Sequence, residues 1–375
     1  MGEKIRVGLI YGGKSGEHEV SLRTALAVMG EFDYSRYEVK PFYITQEGQW
    51  RTGDLLLAPP ADVASLRLNE ADSNEKGKSG AIGPVFQGLQ STAGQSGDGG
   101  RALDVVFPLL HGTFGEDGTI QGLLEMANLP YVGAGVLASA VGMDKITMKK
   151  VFAHEGLPQC VFRYFNRTQW EKDSNYYVTE IEVALGYPCF IKPANLGSSV
   201  GISKARNREE LIEGIEFALR YDRKVIVEEF VDAREIEVSV LGNDEPKASV
   251  PGEIRPSNDF YDYKAKYIDG TSVMEIPASL PPETAEAVRE MALRAYTAID
   301  GSGLSRVDFF MRKSDGELFI NEVNTMPGFT PFSMYPLMWK ETGVSYRELL
   351  DTLIALALER HAEKLRIDYG GGSPL

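Results

Sequence analysis

The 375-residue sequence predicts an α/β protein of more than one domain. Three observations carry that expectation. The chain opens on a strand, a glycine turn and a helix. Strand-like and helix-like stretches then follow one another along its length. Near the end, a strand pair precedes a strongly patterned helix.

The elements follow in order. Val7 to Tyr11 is a buried strand bounded by Gly12-Gly13, and Val20, Leu22, Ala25, Leu26, Val28 and Met29 give residues 18–30 a helical period. Tyr37 to Ile44 is the next strand. Residues 70–102 are rich in Gly, Ser, Asp, Asn and Gln, and read as a surface insertion or flexible loop. A strand resumes over Leu103 to Leu110. A second region begins near Met143-Asp144-Lys145 with a helix to about Glu155. Strands follow at Pro188 to Lys192, Val225 to Glu229 and Ile236 to Leu241. Arg255 to Gly270 is polar and aromatic, as a functional loop is. Ala285 to Ile299 is helical. Val307 to Arg312 and Leu318 to Val323 form a strand pair around Lys313-Ser314-Asp315-Gly316, and 345–366 is a terminal helix. There is no internal repeat.

Composition excludes several classes. Thirty-nine basic against 54 acidic residues leave a formal net charge of -15, which repels phosphate backbones, so nucleic acid is not expected as a partner. No apolar run is long enough for a membrane span or a signal peptide, so neither membrane nor export is expected. Cys160 and Cys189 are too few for a disulfide framework, which fits a reducing, cytoplasmic setting.

Three stretches carry chemistry. Gly12-Gly13-Lys14-Ser15-Gly16-Glu17-His18-Glu19 matches neither the Walker spacing nor GxGxxG, and fits a capped strand-to-helix turn as well as a ligand loop. Glu17 at that helix start stays ionised and could hold a ligand ammonium. Lys192 ends a strand before the small-residue loop Gly197-Ser198-Ser199-Val200-Gly201. With Lys145, it would place positive charge beside backbone N–H groups, as polyphosphate oxygens require; an ordinary glycine hairpin is the competing reading. Arg306 and Asp308 share one strand face, as do Glu322 and Asn324. If the two strands pair, three oxygen-bearing side chains converge beside one guanidinium. That set suits a hard cation such as Mg²⁺ better than zinc; a solvated hairpin face is the bland alternative.

In this order, these stretches resemble the ATP-grasp superfamily and, within it, the D-alanine–D-alanine ligases. The resemblance also rests on His111-Gly112 with Gly115-Glu116-Asp117-Gly118, on Phe260-Tyr261-Asp262-Tyr263-Lys264-Ala265-Lys266-Tyr267, and on Asn321-Glu322-Val323-Asn324-Thr325-Met326-Pro327-Gly328. It covers nearly the whole chain. It implies an N-terminal Rossmann-like (pre-ATP-grasp) α/β domain over 1–143, carrying the insertion. A two-subdomain α+β ATP-grasp fold would follow, with the small subdomain over 144–229 and the large one over 230–375, bearing a lid loop at 255–270.

The resemblance also implies roles. ATP is the co-substrate and D-alanine the substrate, joined through a D-alanyl phosphate for peptidoglycan synthesis. Two Mg²⁺ ions, replaceable by Mn²⁺, would be held by Asp308, Glu322 and Asn324. Glu17 would bind the first D-alanine's ammonium, with Ser198 and Tyr267 bonded to it and to each other. Lys145, Lys192 and Lys266 would contact phosphates, and Ser199 lies in the nucleotide loop. Glu228, Phe230 and Val231 would hold adenine, and Glu235 the ribose. Arg306 and the Gly328 N–H would stabilise the oxyanion, and Ser333 would take the second D-alanine's carboxylate. A homodimer through the N-terminal domain is implied. A D-alanine–D-lactate ligase is the alternative, against which Tyr267 argues. Met326, where many relatives carry Ser or Thr, and the local variant Phe329-Thr330-Pro331-Phe332 depart from the pattern without removing a polar role.

Overall fold

The computed structural model describes residues 3–68, 103–197, 200–255 and 273–368. The expectations for the insertion at 70–102, for Ser198, Ser199, Lys266 and Tyr267, and for nearly all of the loop at 255–270 therefore lie outside the described residues.

The first sheet has the order β3-β2-β1-β4, built from β1 (Ile5–Gly12), β2 (Tyr37–Ile44), β3 (Trp50–Thr52) and β4 (Val105–Pro108). Strand β1 pairs in parallel with both β2 and β4, which requires crossovers, and α1 (His18–Glu31) supplies the first of them. Alternation along β1 sends Val7, Leu9 and Tyr11 into the core beneath α1, while Ile10 faces α2 (Thr119–Met126) on the other side.

The second sheet is antiparallel, in the order β5-β8-β6-β7: β5 (Phe162–Asn166), β6 (Cys189–Pro193), β7 (Ser203–Ala205) and β8 (Lys224–Glu229). One face, with Phe165, Cys189, Ile191, Val225 and Val227, packs on Val178 and Ile181 of the helix Ser174–Ala184 and on Leu211 and Ile215 of the helix Arg208–Ala218. The period of two then puts Phe190, Lys192 and Glu228 on the opposite face.

The third sheet runs β12-β11-β9-β13-β14, with β10 (Lys247–Ala248) beside β9; its strands are β9 (Ala233–Gly242), β11 (Gly252–Arg255), β12 (Val273–Glu275), β13 (Gly303–Arg312) and β14 (Leu318–Asn324). Ile236, Val238, Val240, Val307, Phe309, Ile320 and Val323 form its core face, covered by Val288, Ala292, Ala295 and Tyr296 of the helix Pro282–Ala298. The predicted strand pair is present with the expected turn.

Two helices connect these layers. The helix Lys145–His154 starts where Asp144 accepts the Thr147 N–H at 2.9 Å, a side-chain cap that fixes its first turn. The helix Tyr346–Lys364 begins in a reciprocal Ser345–Glu348 capping box. It buries Leu349, Leu350, Leu353 and Ile354 in the same core as β1 and α1, each worth roughly 1.5–3 kcal/mol. Arg360, from its last turns, donates to the backbone oxygens of Tyr131 (2.9 Å) and Gly133 and to Ser302 Oγ (2.6 Å). Both cysteines are free and buried. Among the described residues, no helix is long and apolar enough to cross a membrane.

Candidate active site

Glu17 enters from the first sheet. Strand β1 ends in Gly12, whose φ of 93° and whose approach to Ile44 leave no room for a side chain: a Cβ would lie 2.1 Å from the Ile44 oxygen. The turn delivers Glu17 to the N-cap of α1, where the helix dipole favours its charge, yet its side chain makes no capping bond. Its Oε2 instead points at two glycine loops; a Cβ on Gly112 would come within 2.7 Å of it and one on Gly197 within 3.7 Å. Gly112 thus makes room for this carboxylate, and Gly197 lies in ordinary contact distance of it.

His111 supports it from behind. Its Nε2 lies 3.1 Å from Thr24 Oγ1, and its Nδ1 lies 3.3 Å from the Met326 oxygen and 3.5 Å from Glu116 Oε1. Burial alone would push the imidazole pKa down, but the carboxylates of Glu116 and Glu17 outweigh it and raise the pKa above its ordinary value.

The lysines converge from two elements. Lys145 donates to the Leu196 oxygen at 2.9 Å, tying the helix start to the small-residue loop, and its Nζ lies 3.5 Å from Glu322. Lys192 pairs with Glu228, which Lys149 approaches on its other oxygen at 2.8 Å. Burial opposes charge on Glu228, yet these two ammonium groups hold its carboxyl far below the usual carboxylate range. Lys192 stays charged for the same reason.

The strand pair brings four groups to one face through a β-bulge between Asp308 and Phe309, which shifts the register by one residue. Arg306 stands opposite Asn324, and Asp308 opposite Glu322. Arg306 donates to Asp308 from Nε at 2.7 Å and from a terminal nitrogen at 2.8 Å, a bidentate pair. Asn324 Nδ2 donates to the same carboxylate at 2.9 Å. Beyond β14, the Thr330 N–H (3.1 Å) and hydroxyl (2.8 Å) meet Ser333 Oγ, which also lies against Gly328.

These groups face one cleft of about 790 Å³, a size that suits a small-molecule site. Glu17, Lys145, Lys192, Glu235 and Arg306 line it, as do Asp308, Glu322, Asn324, Gly328 and Ser333. Glu228, Phe230 and Val231 are not in its wall: Glu228 is buried behind Lys192, and Phe230 is half-exposed with Lys204 Nζ 4.1 Å from its ring centre. Among the described residues, no group of three or more His, Cys, Asp or Glu side chains is placed to hold a metal ion unaided. Two carboxylates and an amide, all oxygen donors, nevertheless fit a Mg²⁺ that completes its shell with phosphate oxygens and water.

Three participants escape a reading of the sequence. Lys149 is one helical turn from Lys145 and shares its face, a spacing that was available as a signal. Glu237 is two residues from Glu235 on the same face of β9, and its Oε2 lies 3.0 Å from Arg306 Nε. Thr330 carries no sequence signal, because its partnership with Ser333 depends on a turn.

Family models described as "D-ala D-ala ligase N-terminus" and "D-ala D-ala ligase C-terminus" match residues 6–134 and 151–355. A D-alanine–D-alanine ligase of Bacillus cytotoxicus is 53% identical over 98% of this chain and 99% of its own. One from Listeria innocua is 51% identical with the same coverage of both chains. Among solved structures, the D-alanine-D-alanine ligase of Coxiella burnetii superposes with a TM-score of 0.78 at 32% identity, over 97% of each chain. The VanG D-Ala:D-Ser ligase of Enterococcus faecalis superposes with a TM-score of 0.79 at 36% identity, over 95% of this chain and all of that one.

Proposed function

The chain belongs to the D-alanine–D-alanine ligase family, and from that premise we propose that its cleft joins two D-alanines into a dipeptide at the expense of ATP. A carboxylate is a poor electrophile, so the γ-phosphoryl group of ATP activates the first D-alanine as an acyl phosphate. The amine of the second D-alanine attacks it and phosphate leaves. The protein's share is positioning and charge compensation.

Glu17 holds the ammonium of the first substrate, at the ionised position its helix start provides. Lys145 and Lys192 take phosphate oxygens and Glu235 the ribose, and the adenine extends beyond the wall of this cleft to Glu228, Phe230 and Val231. Asp308, Glu322 and Asn324 would hold Mg²⁺ or Mn²⁺, which supplies charge neutralisation at the transferring phosphoryl group. Arg306 and the Gly328 N–H face the oxyanion that develops at the attacked carbon. Ser333 receives the second substrate's carboxylate. Ser198, Ser199, Lys266 and Tyr267 keep the roles of nucleotide contact and closure over the first substrate.

The same reading takes 1–143, 144–229 and 230–375 as three units, each enclosing one of the three sheets. It includes a homodimer formed through the first unit and a cytoplasmic setting, in keeping with two unpaired cysteines.

The single observation that supports this reading best is the shared face of Arg306, Asp308, Glu322 and Asn324, in strand register within the cleft that Glu17 and the two lysines line. The test is phosphate release and product formation from ATP with D-alanine, L-alanine, D-lactate and D-serine. Dipeptide from D-alanine, with L-alanine failing as first substrate, is expected. Equal turnover of both enantiomers, or ester as the main product, would overturn it.

A further inference from the structure

Glu237, Asp308 and Glu322 form a row across three adjacent strands. Asp308 is registered with Glu237 on β9 to one side and with Glu322 on β14 to the other. All three line the cleft, and Glu237 is buried. Arg306 sits one row along, and its Nε lies between Asp308 Oδ1 at 2.7 Å and Glu237 Oε2 at 3.0 Å.

Both oxygens of Asp308 are already engaged: Oδ1 by Arg306 Nε, and Oδ2 by Arg306 and by Asn324 Nδ2. A divalent ion on Asp308 would need an oxygen at about 2.0–2.1 Å and would set two positive charges beside the guanidinium. Metal and Arg306 therefore compete for one carboxylate. Arg306 is largely buried and cannot be left there without a counter-charge. Glu237 already touches Arg306 Nε, and it lies on the side of Asp308 away from Glu322, where a metal shared by Asp308 and Glu322 would not sit.

We propose that Glu237 is a positioning residue that takes over Arg306 when Asp308 turns to a metal ion, so that metal loading does not displace the guanidinium. This rests on the metal role given above to Asp308 and Glu322. A neutral side chain at 237 could accept a hydrogen bond but would not balance the charge, and Arg306 would then hold Asp308 against the metal.

The experiment is Mn²⁺ titration of the full chain with ADP, read from the loss of the free-ion electron paramagnetic resonance signal beyond that of an identical titration of ADP without protein. Glu237→Gln is expected to weaken Mn²⁺ binding about 10-fold, and in an Arg306→Gln background the same change should have less than about a 2-fold effect, because the competitor is gone. Equal weakening in both backgrounds would mean that Glu237 only adds negative charge, and would overturn the proposal. Unaltered binding by Glu237→Gln would also overturn it. Glu237→Asp keeps the charge but withdraws it by one methylene, and covers the case in which Glu237→Gln does not fold. It too should bind Mn²⁺ more weakly, and parent-like binding counts against the role. If the parent chain itself binds no Mn²⁺ with ADP, the metal reading falls and the Glu237 role with it; if the parent binds and the variants match it, the Glu237 role alone falls.

Discussion

Lys145 and Lys149 stand one turn apart on a single helix and pair with carboxylates from two different sheets, Lys145 with Glu322 and Lys149 with Glu228. The helix is therefore a bar between the second and third sheets, fixed to each by a charged contact. Lys149→Met should leave Glu228 with one ammonium partner and cost about 1.5–3 kcal/mol of stability, the range for a hydrogen bond to a charged group. Urea unfolding measures it. An unchanged midpoint would mean that Lys192 alone satisfies the carboxylate.

The same carboxylate sets an acid limit. The Glu228 carboxyl is held below its ordinary value of 4.5, so its contribution is fully present above that pH and is lost as pH falls through the folded value. Thermal unfolding between about pH 2 and pH 5 should show a steeper acid-side loss in the parent than in Glu228→Gln. Parallel curves would remove Glu228 from the account.

Glu322→Gln keeps shape and removes a charge from the shared face. A loss of about 10²-fold or more in kcat is expected, with the fold intact by circular dichroism, by comparison with removing one electrostatic stabiliser of a transition state. Chelation of divalent ions should abolish turnover in the parent. Near-normal kcat for the variant would reduce this face to a surface ion pair.

Arg360 gathers two backbone oxygens from the segment after α2 and a hydroxyl from the turn before β13. Arg360→Met should leave those acceptors unpaired and destabilise the chain by about 2–4 kcal/mol, with the ligand KM values nearly unchanged because Arg360 does not line the cleft. Chemical denaturation and steady-state kinetics on the same preparation separate the two effects.

Sequence pattern is informative wherever one face of an element is buried. Tyr37–Ile44 has the predicted bounds, and the strand pair and its turn follow from the pattern, but the shared face of Arg306, Asp308, Glu322 and Asn324 depends on a β-bulge between Asp308 and Phe309, without which Asn321 would stand opposite Asp308. The strand predicted over Leu103 to Leu110 is shorter, Val105–Pro108, although Asp104 and Leu109 beside it still donate their backbone N–H groups to the Arg6 and Ile10 oxygens. The helices Val136–Met143 and Ser174–Ala184 went unread. The first is short and nearly uniformly apolar, so no periodicity marks it, and the second buries only Val178 and Ile181. At the site, charge partners such as Glu237 and Lys149 are set by which strands and helices become neighbours. A one-dimensional pattern does not contain that information.

The helix Tyr346–Lys364 completes the core around β1 and α1, so elements more than two hundred residues apart build one hydrophobic unit. During synthesis the first sheet leaves the ribosome with Val7, Leu9, Val39 and Phe107 lacking their final cover, and waits for more than two hundred further residues. Expressed without that helix, the N-terminal region would expose this apolar face, and aggregation is expected. Only a chain that includes this late helix can bury it, so the first sheet to be made is among the last parts of the fold to be sealed.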